Sequence, residues 1–199
     1  MRSAVRRRKA SRGGGRLIVV SAPSGAGKTT IAHEMLRRIP ELEFSVSATT
    51  RPRREGEVDG RDYFFLSKEE FRRRVSRGEF TEWEEIYGEY YGTLNAEIER
   101  AQRAGRRLLF DIDVNGALSI KKRYPSALLI FIAPPSVETL LHRLRARHTE
   151  DEATLARRMA RVPMEMRKGD LFDVRVVNDS LERAVSEVQK IINAALQRS

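Results

Sequence analysis

Leu17-Ile-Val-Val-Ser21, followed at once by Ala22-Pro-Ser-Gly-Ala-Gly-Lys-Thr29, is the stretch on which the fold turns. The first five residues are a short, β-branched apolar run, which predicts a buried strand. From Thr29 to Ile39 the apolar residues Ile31, Met35, Leu36 and Ile39 fall at helical spacing, and Pro40 closes the segment. Between strand and helix, Gly25 and Gly27 allow successive backbone N–H groups to turn inward and form an anion nest at a helix N-terminus. Lys28 adds a mobile charge for the β- and γ-phosphates of a nucleoside triphosphate, and the Thr29 hydroxyl is suited to Mg²⁺. Ala22 stands where the pattern G-x-x-x-x-G-K-[ST] has glycine. It precedes Pro23, which favours an extended backbone that alanine tolerates. The expected triphosphate site is therefore Ala22, Pro23, Ser24, Gly25, Ala26, Gly27, Lys28 and Thr29.

Outward from this loop, short apolar runs at Phe44–Ala48, Leu108–Phe110, Leu128–Ala133 and Val174–Val177 alternate with helical periodicity. The helical segments are 94–104, 114–122, 137–147, 152–168 and 181–196. Buried strands separated by helices predict an α/β fold with a parallel sheet covered on both faces. Leu108-Leu-Phe-Asp111 ends a strand in a carboxylate, the expected second organiser of Mg²⁺, through a water on the metal. Residues 49–93 break the alternation. They predict an insertion with its own small sheet, with antiparallel strands at Tyr63–Phe65, Phe80–Trp83 and Tyr90–Tyr91 around one helix, Lys68–Ser76.

The charge is unevenly placed. The 199 residues carry 38 Lys+Arg against 28 Asp+Glu, a net +10, but residues 1–16 hold seven bases and no acid, which leaves +3 for the rest. The tail 1–15, with Gly13-Gly-Gly15 and almost nothing apolar, reads as a disordered solubilising arm. A weak RNA or polyphosphate contact and a targeting segment are the sharper alternatives. The longest apolar run, Ala127–Ala133, is far short of the ~20 residues of a membrane span, so no integral membrane protein is expected. Absence of cysteine removes disulfides, thiolate metal sites and cysteine nucleophiles and fits a cytoplasmic location. No apolar stretch follows the basic N-terminus, so no signal peptide is expected.

The insertion concentrates Arg51, Arg54, Tyr63, Glu82, Tyr91 and Thr93. Arginine forks and tyrosine hydroxyls suit a dianionic phosphate. That phosphate would repel a carboxylate, so Glu82 needs a separate purpose. Guanine offers one, because its N1–H and N2–H₂ are adjacent donors, whereas adenine would leave a buried carboxylate unpaired at a cost of ~1–3 kcal/mol. Taken singly, each of these residues reads as a solvated charge.

Several ordered stretches resemble the guanylate kinase family from about Arg16 onward: Ser21–Thr29, Phe44-Ser-Val-Ser47, Thr49-Thr-Arg51, Arg54 with Gly56-Glu57, Asp62-Tyr63, Glu79-Phe-Thr-Glu-Trp83, Tyr90-Tyr-Gly92, Asp111-Ile-Asp113 with Gly116, Ile132–Ser136 and Val177-Asn-Asp179. The resemblance implies ATP as donor and GMP, with dGMP, as acceptor. It implies a phosphate-binding-loop core (16–46, 97–136 and 164–199), a GMP-binding insertion (47–96) and a helical lid (137–163). It assigns Arg51, Arg54, Tyr63 and Tyr91 to the GMP phosphate, and Ser47, Glu82, Thr93 and Asp113 to guanine. Arg143, Arg147 and Arg158 resemble lid arginines, which with Lys28 and Arg51 form the catalytic set; Asn178 resembles the residue beside adenine. Thr29 and Asp111 are the implied metal residues. His148 follows Arg147 where the family has glycine.

The GMP phosphate is already ionised near neutral pH, with a second pKa of about 6, so transfer needs no general base. Gathering two anionic groups in line is the difficulty, and cations from loop, insertion and lid meet it. Domain closure is expected, with Gly56, Gly60, Gly88 and Gly92 as flexible points or plain turns. The competing classes are a kinase for another small acceptor and a catalytically inactive guanylate-kinase-like interaction module. The guanine-side carboxylates argue against the first, and the intact Gly27-Lys28-Thr29 against the second.

Overall fold

Leu17 and Val19 pack toward one side of the central sheet and Ile18 and Val20 toward the other, so the first strand is buried on both faces. The computed structural model describes residues 17–145 and 152–197; the tail 1–15, Arg147 and His148 lie outside the described residues. In chain order the elements are β1 (Leu17–Ser21), α1 (Lys28–Arg38), β2 (Leu42–Phe44), β3 (Ala48–Thr49), β4 (Phe64–Phe65), α2 (Lys68–Ser76), β5 (Phe80–Ile86), β6 (Glu89–Leu94) and α3 (Asn95–Arg103). There follow β7 (Arg107–Asp111), α4 (Val114–Arg123), β8 (Leu128–Ala133), α5 (Val137–Arg145), α6 (Glu152–Gly169), β9 (Val174–Val177) and α7 (Leu181–Gln197).

Five strands form a wholly parallel sheet in the order β2-β7-β1-β8-β9. Residues of α1, α5, α6 and α7 cover one face, and residues of α3 and α4 the other. The carboxyl ends of β1, β7, β8 and β9 lie side by side, the edge at which such sheets hold ligands. Helix α6 runs through Pro163 without a break. Among the described residues no helix is long and apolar enough to cross a membrane.

The insertion carries a second sheet, β4-β3-β6-β5. It is mixed rather than antiparallel throughout, because β3 pairs β4 in parallel and β6 antiparallel. The expected strand Phe44–Ala48 is in fact two: Leu42–Phe44 ends in the central sheet, and Ala48–Thr49 begins the second, with Ser45 held by Leu109 O at 2.9 Å between them. Tyr87 (φ 54) and Gly88 (φ 82) supply the left-handed turn that joins β5 to β6. Gly92 is a packing position inside β6, since a Cβ there would lie 2.7 Å from the Glu82 carbonyl oxygen.

A bulge decides which way β5 faces. Phe80 pairs Leu94, but Glu82 pairs Thr93, so Thr81 is the extra residue. Residues two apart across a bulge point to opposite faces. Phe80 accordingly packs on Phe71 of α2, ring centroids 4.3 Å apart, while Glu82 turns into the cleft. Glu84 and Ile86 then follow on the cleft side by strand alternation, and Trp83 faces α2 beside Phe71 and Tyr90.

Candidate active site

The loop after β1 closes with Ala26 N–H donating to Pro23 O at 3.0 Å, and Gly27 (φ 99) opens α1 in the left-handed conformation. Lys28 Nζ is 2.8 Å from Asp111 Oδ1 and donates to Ile112 O at 3.1 Å. Thr29 Oγ1 donates to Asp111 Oδ2 at 2.7 Å. Because β1 and β7 are parallel neighbours with Val20 opposite Asp111, the carboxylate arrives directly beside the loop. Asn178, at the end of β9, donates from Nδ2 to Ala26 O at 2.8 Å, and its carbonyl accepts Arg143 Nη2 at 3.0 Å. From α6, Arg158 Nη1 donates to Ser24 Oγ at 2.7 Å.

Three cavities surround this loop. One of about 580 Å³ runs from the loop to Tyr63, Tyr91, Asp113, Arg158 and Arg161. A smaller one of about 170 Å³ is lined by Ser47, Glu82, Glu84 and Asp111, and it shares Lys28, Tyr63, Tyr91 and Asp113 with the first. The third, about 460 Å³, lies on the far side of the loop between Thr30, His142, Arg143, Asn178 and Leu181. Loop and insertion thus face each other across one cleft.

Glu82 is 8% exposed and accepts Thr93 Oγ1 at 2.6 Å. Burial pushes its carboxyl up to about 7; the Thr93 hydroxyl works against this and the Asp113 charge adds to it. A Cβ on Gly116 would lie 2.6 Å from Glu82 Oε2, so the glycine makes room for the carboxylate. Asp113 caps α4 by accepting Gly116 N–H at 2.9 Å. Glu84 is also pushed up, first by burial and then by Asp113.

Arg51 is pinned. Its guanidinium donates through Nη1 to Glu57 Oε2 at 2.7 Å and through Nη2 to Glu57 Oε1, and it lies 4.8 Å from the Tyr63 ring centroid. This pairing drops the Glu57 carboxyl to about 2. Ser47, Tyr63, Glu82, Tyr91 and Asp113 line the shared cavities, and Thr93 reaches them through Glu82. Arg51 sits behind Tyr63, and Arg54 is exposed with its backbone N–H on Glu57 Oε2 at 2.8 Å; neither lines either cavity. Sequence reasoning assigned no part to Glu57, Glu84 or Arg161. Glu84 is two residues from Glu82 on a strand and Arg161 three from Arg158 on a helix, spacings that place each beside its neighbour.

A strand-loop-helix cradle with a lysine and a threonine on one carboxylate, opposed by an acidic pocket with tyrosines, defines a phosphotransferase of the nucleotide kinase class. The guanylate kinase family model matches residues 14–195. Curated guanylate kinases from Symbiobacterium thermophilum (48% identical, covering 93% of this chain and 88% of that protein) and Chlorobium luteolum (51%, covering 87% and 89%) are among its relatives. The crystal structure of guanylate kinase from Anaplasma phagocytophilum superimposes with a TM-score of 0.73 at 31% identity, covering 92% of this chain and 87% of that one. The chain belongs to the guanylate kinase family.

Proposed function

We propose that this enzyme transfers the γ-phosphoryl group of ATP to GMP, with dGMP as a further acceptor, giving ADP and GDP (dGDP from dGMP), with the cleft residues in distinct roles. The observation that carries this reading is the shared lining: Lys28, Tyr63, Tyr91 and Asp113 border both the loop cavity and the acidic pocket. A donor phosphate on the loop and a purine edge at Glu82 are therefore parts of one chamber. The intact Gly27-Lys28-Thr29, tied to Asp111, supports catalysis over a purely interacting module.

The triphosphate is held by the backbone of residues 22–29 and by Lys28, with adenine between Asn178 and the α5 residues of the third cavity. Thr29 Oγ1 and Asp111 Oδ2, two hard oxygens 2.7 Å apart beside the loop, fit Mg²⁺, which takes few protein oxygens and completes its shell with phosphate and water. Thr29 would hold the ion directly and Asp111 through water, and the ion would supply charge neutralisation to the phosphates. Glu82 and Asp113 accept N1–H and N2–H₂ of guanine, with Ser47 and Thr93 beside them. Tyr63 and Tyr91 donate to the GMP phosphate. Glu57 holds the Arg51 fork in one orientation, and the exposed Arg54 joins when the insertion closes. Lys28 and Arg158, which line the loop cavity, neutralise the transferring group, and on closure Arg51 and Arg143 move in beside them to exclude water, so ATP is not lost to hydrolysis.

An ADP-release assay with Mg-ATP and GMP, IMP, AMP or UMP tests this. GMP is expected to exceed AMP by at least tenfold or so in kcat/KM, the worth of one unpaired buried carboxylate. Lys28→Ala is expected to reduce kcat by about 100-fold or more. AMP turnover equal to that with GMP would overturn the reading.

A further inference from the structure

Arg161 lies three residues after Arg158 on α6, so the two guanidinium groups leave the same face of one helix. Arg158 touches the donor loop at Ser24. Arg161 reaches the opposite wall: its Nη2 donates to Asp113 Oδ2 at 3.2 Å and lies 3.5 Å from Glu84 Oε1, while its Nε is 3.6 Å from Glu165 Oε1. The Tyr87 ring, at the tip of the β5–β6 turn, sits 5.7 Å from its guanidinium carbon. One side chain therefore joins the α6 segment, the cap of α4 and the insertion.

The electrostatics require such a cation. Asp113, Glu84 and Glu165 are half-buried or buried and close together, and Asp113 raises the carboxyl pKa of both glutamates and of Glu82. Without a compensating charge, carboxyls in this arrangement share protons, and a protonated carboxyl has lost part of its acceptor capacity. Asp113 Oδ1 is fixed by Gly116 N–H, and Oδ2 is fixed by Arg161. Each oxygen keeps one further lone pair for a ligand donor. Glu84 is steadied in turn by Asn115 Nδ2 at 2.5 Å, and Asn115 Oδ1 accepts Lys168 Nζ of the same α6.

We propose that Arg161 is a positioning residue for acceptor-base recognition. It holds Asp113 Oδ2 in place and aimed at the purine edge, with Glu84 as its second anchor, and so links α6 on the donor loop to selection of the acceptor base. This rests on the reading of Asp113 as a guanine acceptor. The consequence is that reading of the 2-amino group of the acceptor depends on α6 being seated against the cap of α4.

The test uses the full chain with saturating Mg-ATP and compares GMP with IMP, which differs by lacking the 2-amino group. Arg161→Met keeps the length of the side chain and removes the charge. It is expected to lower kcat/KM for GMP about tenfold through KM, to change IMP far less, and to leave KM for Mg-ATP within about twofold. Arg161→Lys is expected to restore most of the GMP preference. Glu84→Gln added to Arg161→Met removes the neighbouring charge and is expected to recover preference several-fold, a non-additive result. Arg161→Lys and Glu84→Gln also serve if the methionine variant folds poorly, with denaturation midpoints measured on each. An unchanged GMP:IMP ratio in Arg161→Met, equal losses on GMP, IMP and ATP, or strict additivity would overturn the proposal. A wild-type enzyme with no preference for GMP over IMP would instead overturn the assignment of Asp113 itself.

Discussion

Glu82→Gln replaces one buried carboxylate by a neutral amide of the same shape, and its effects on stability and on turnover should run in opposite directions. In the folded chain the carboxyl titrates at about 7, against an ordinary 4.5, chiefly because burial disfavours the charge. The native state therefore binds more protons than the unfolded chain between these two values, so stability falls as pH rises through that window. The penalty is absent below pH 4.5 and complete above pH 7. At ~1.4 kcal/mol for each pKa unit it reaches on the order of 3 kcal/mol, an upper bound because the side chain and its neighbours relax. Glutamine carries no such penalty and still accepts the Thr93 hydroxyl through its amide oxygen. Urea denaturation should show the variant more stable than wild type by roughly 1–3 kcal/mol at pH 8, with the difference nearly gone by about pH 4. The amide also presents donors to the donor edge of guanine, so kcat/KM for GMP should fall ~10–100-fold with KM for Mg-ATP unchanged. In wild type, GMP capture should decline as pH drops below 7, above the ~6 of the nucleotide phosphate, and the variant should lose that limb. A stability difference identical at pH 5 and pH 8, or an equal loss toward ATP, would refute the reasoning.

Two more substitutions probe the same pocket. Gly116→Ala adds a methyl 2.6 Å from Glu82 Oε2 within a helix that would otherwise gain up to ~1 kcal/mol from alanine, so denaturation should show little net change while KM for GMP rises about tenfold. Thr93→Val removes the hydroxyl that lowers the Glu82 carboxyl, and the acid limb of the GMP profile should move to higher pH in steady-state assays.

Much of this architecture is written locally. The run Leu17–Ser21, the glycines after it and the periodic segment to Ile39 specify strand, loop and helix through backbone freedom and apolar spacing, and Lys28 and Thr29 meet Asp111 because β1 and β7 are neighbours. What escaped depends on events with no local signal. Period-two reasoning places Phe80 and Glu82 on one face; the bulge at Thr81 separates them. The apolar character of Phe44–Ala48 hides the point at which the chain leaves one sheet for another. Arg51 reads as an open phosphate ligand, whereas Glu57, six residues on, already occupies both ends of its fork. Glu84 and Arg161 are ordinary charges until α6 crosses the insertion.

Pro163 gives α6 a mechanical property that its unbroken outline conceals. Lacking an N–H, it leaves the Met159 carbonyl without its usual intrahelical donor, so the helix is softest between the turns that carry Arg158 and Glu165. Arg158 precedes the proline by five positions, about 7.5 Å of axial rise at ~1.5 Å per residue. A tilt of ~10° at that pivot sweeps it through little more than 1 Å, enough to exchange one acceptor oxygen for another. The lever is short, and it is fixed at the end where Glu165 is buried and Lys168 is tied to Asn115 of α4.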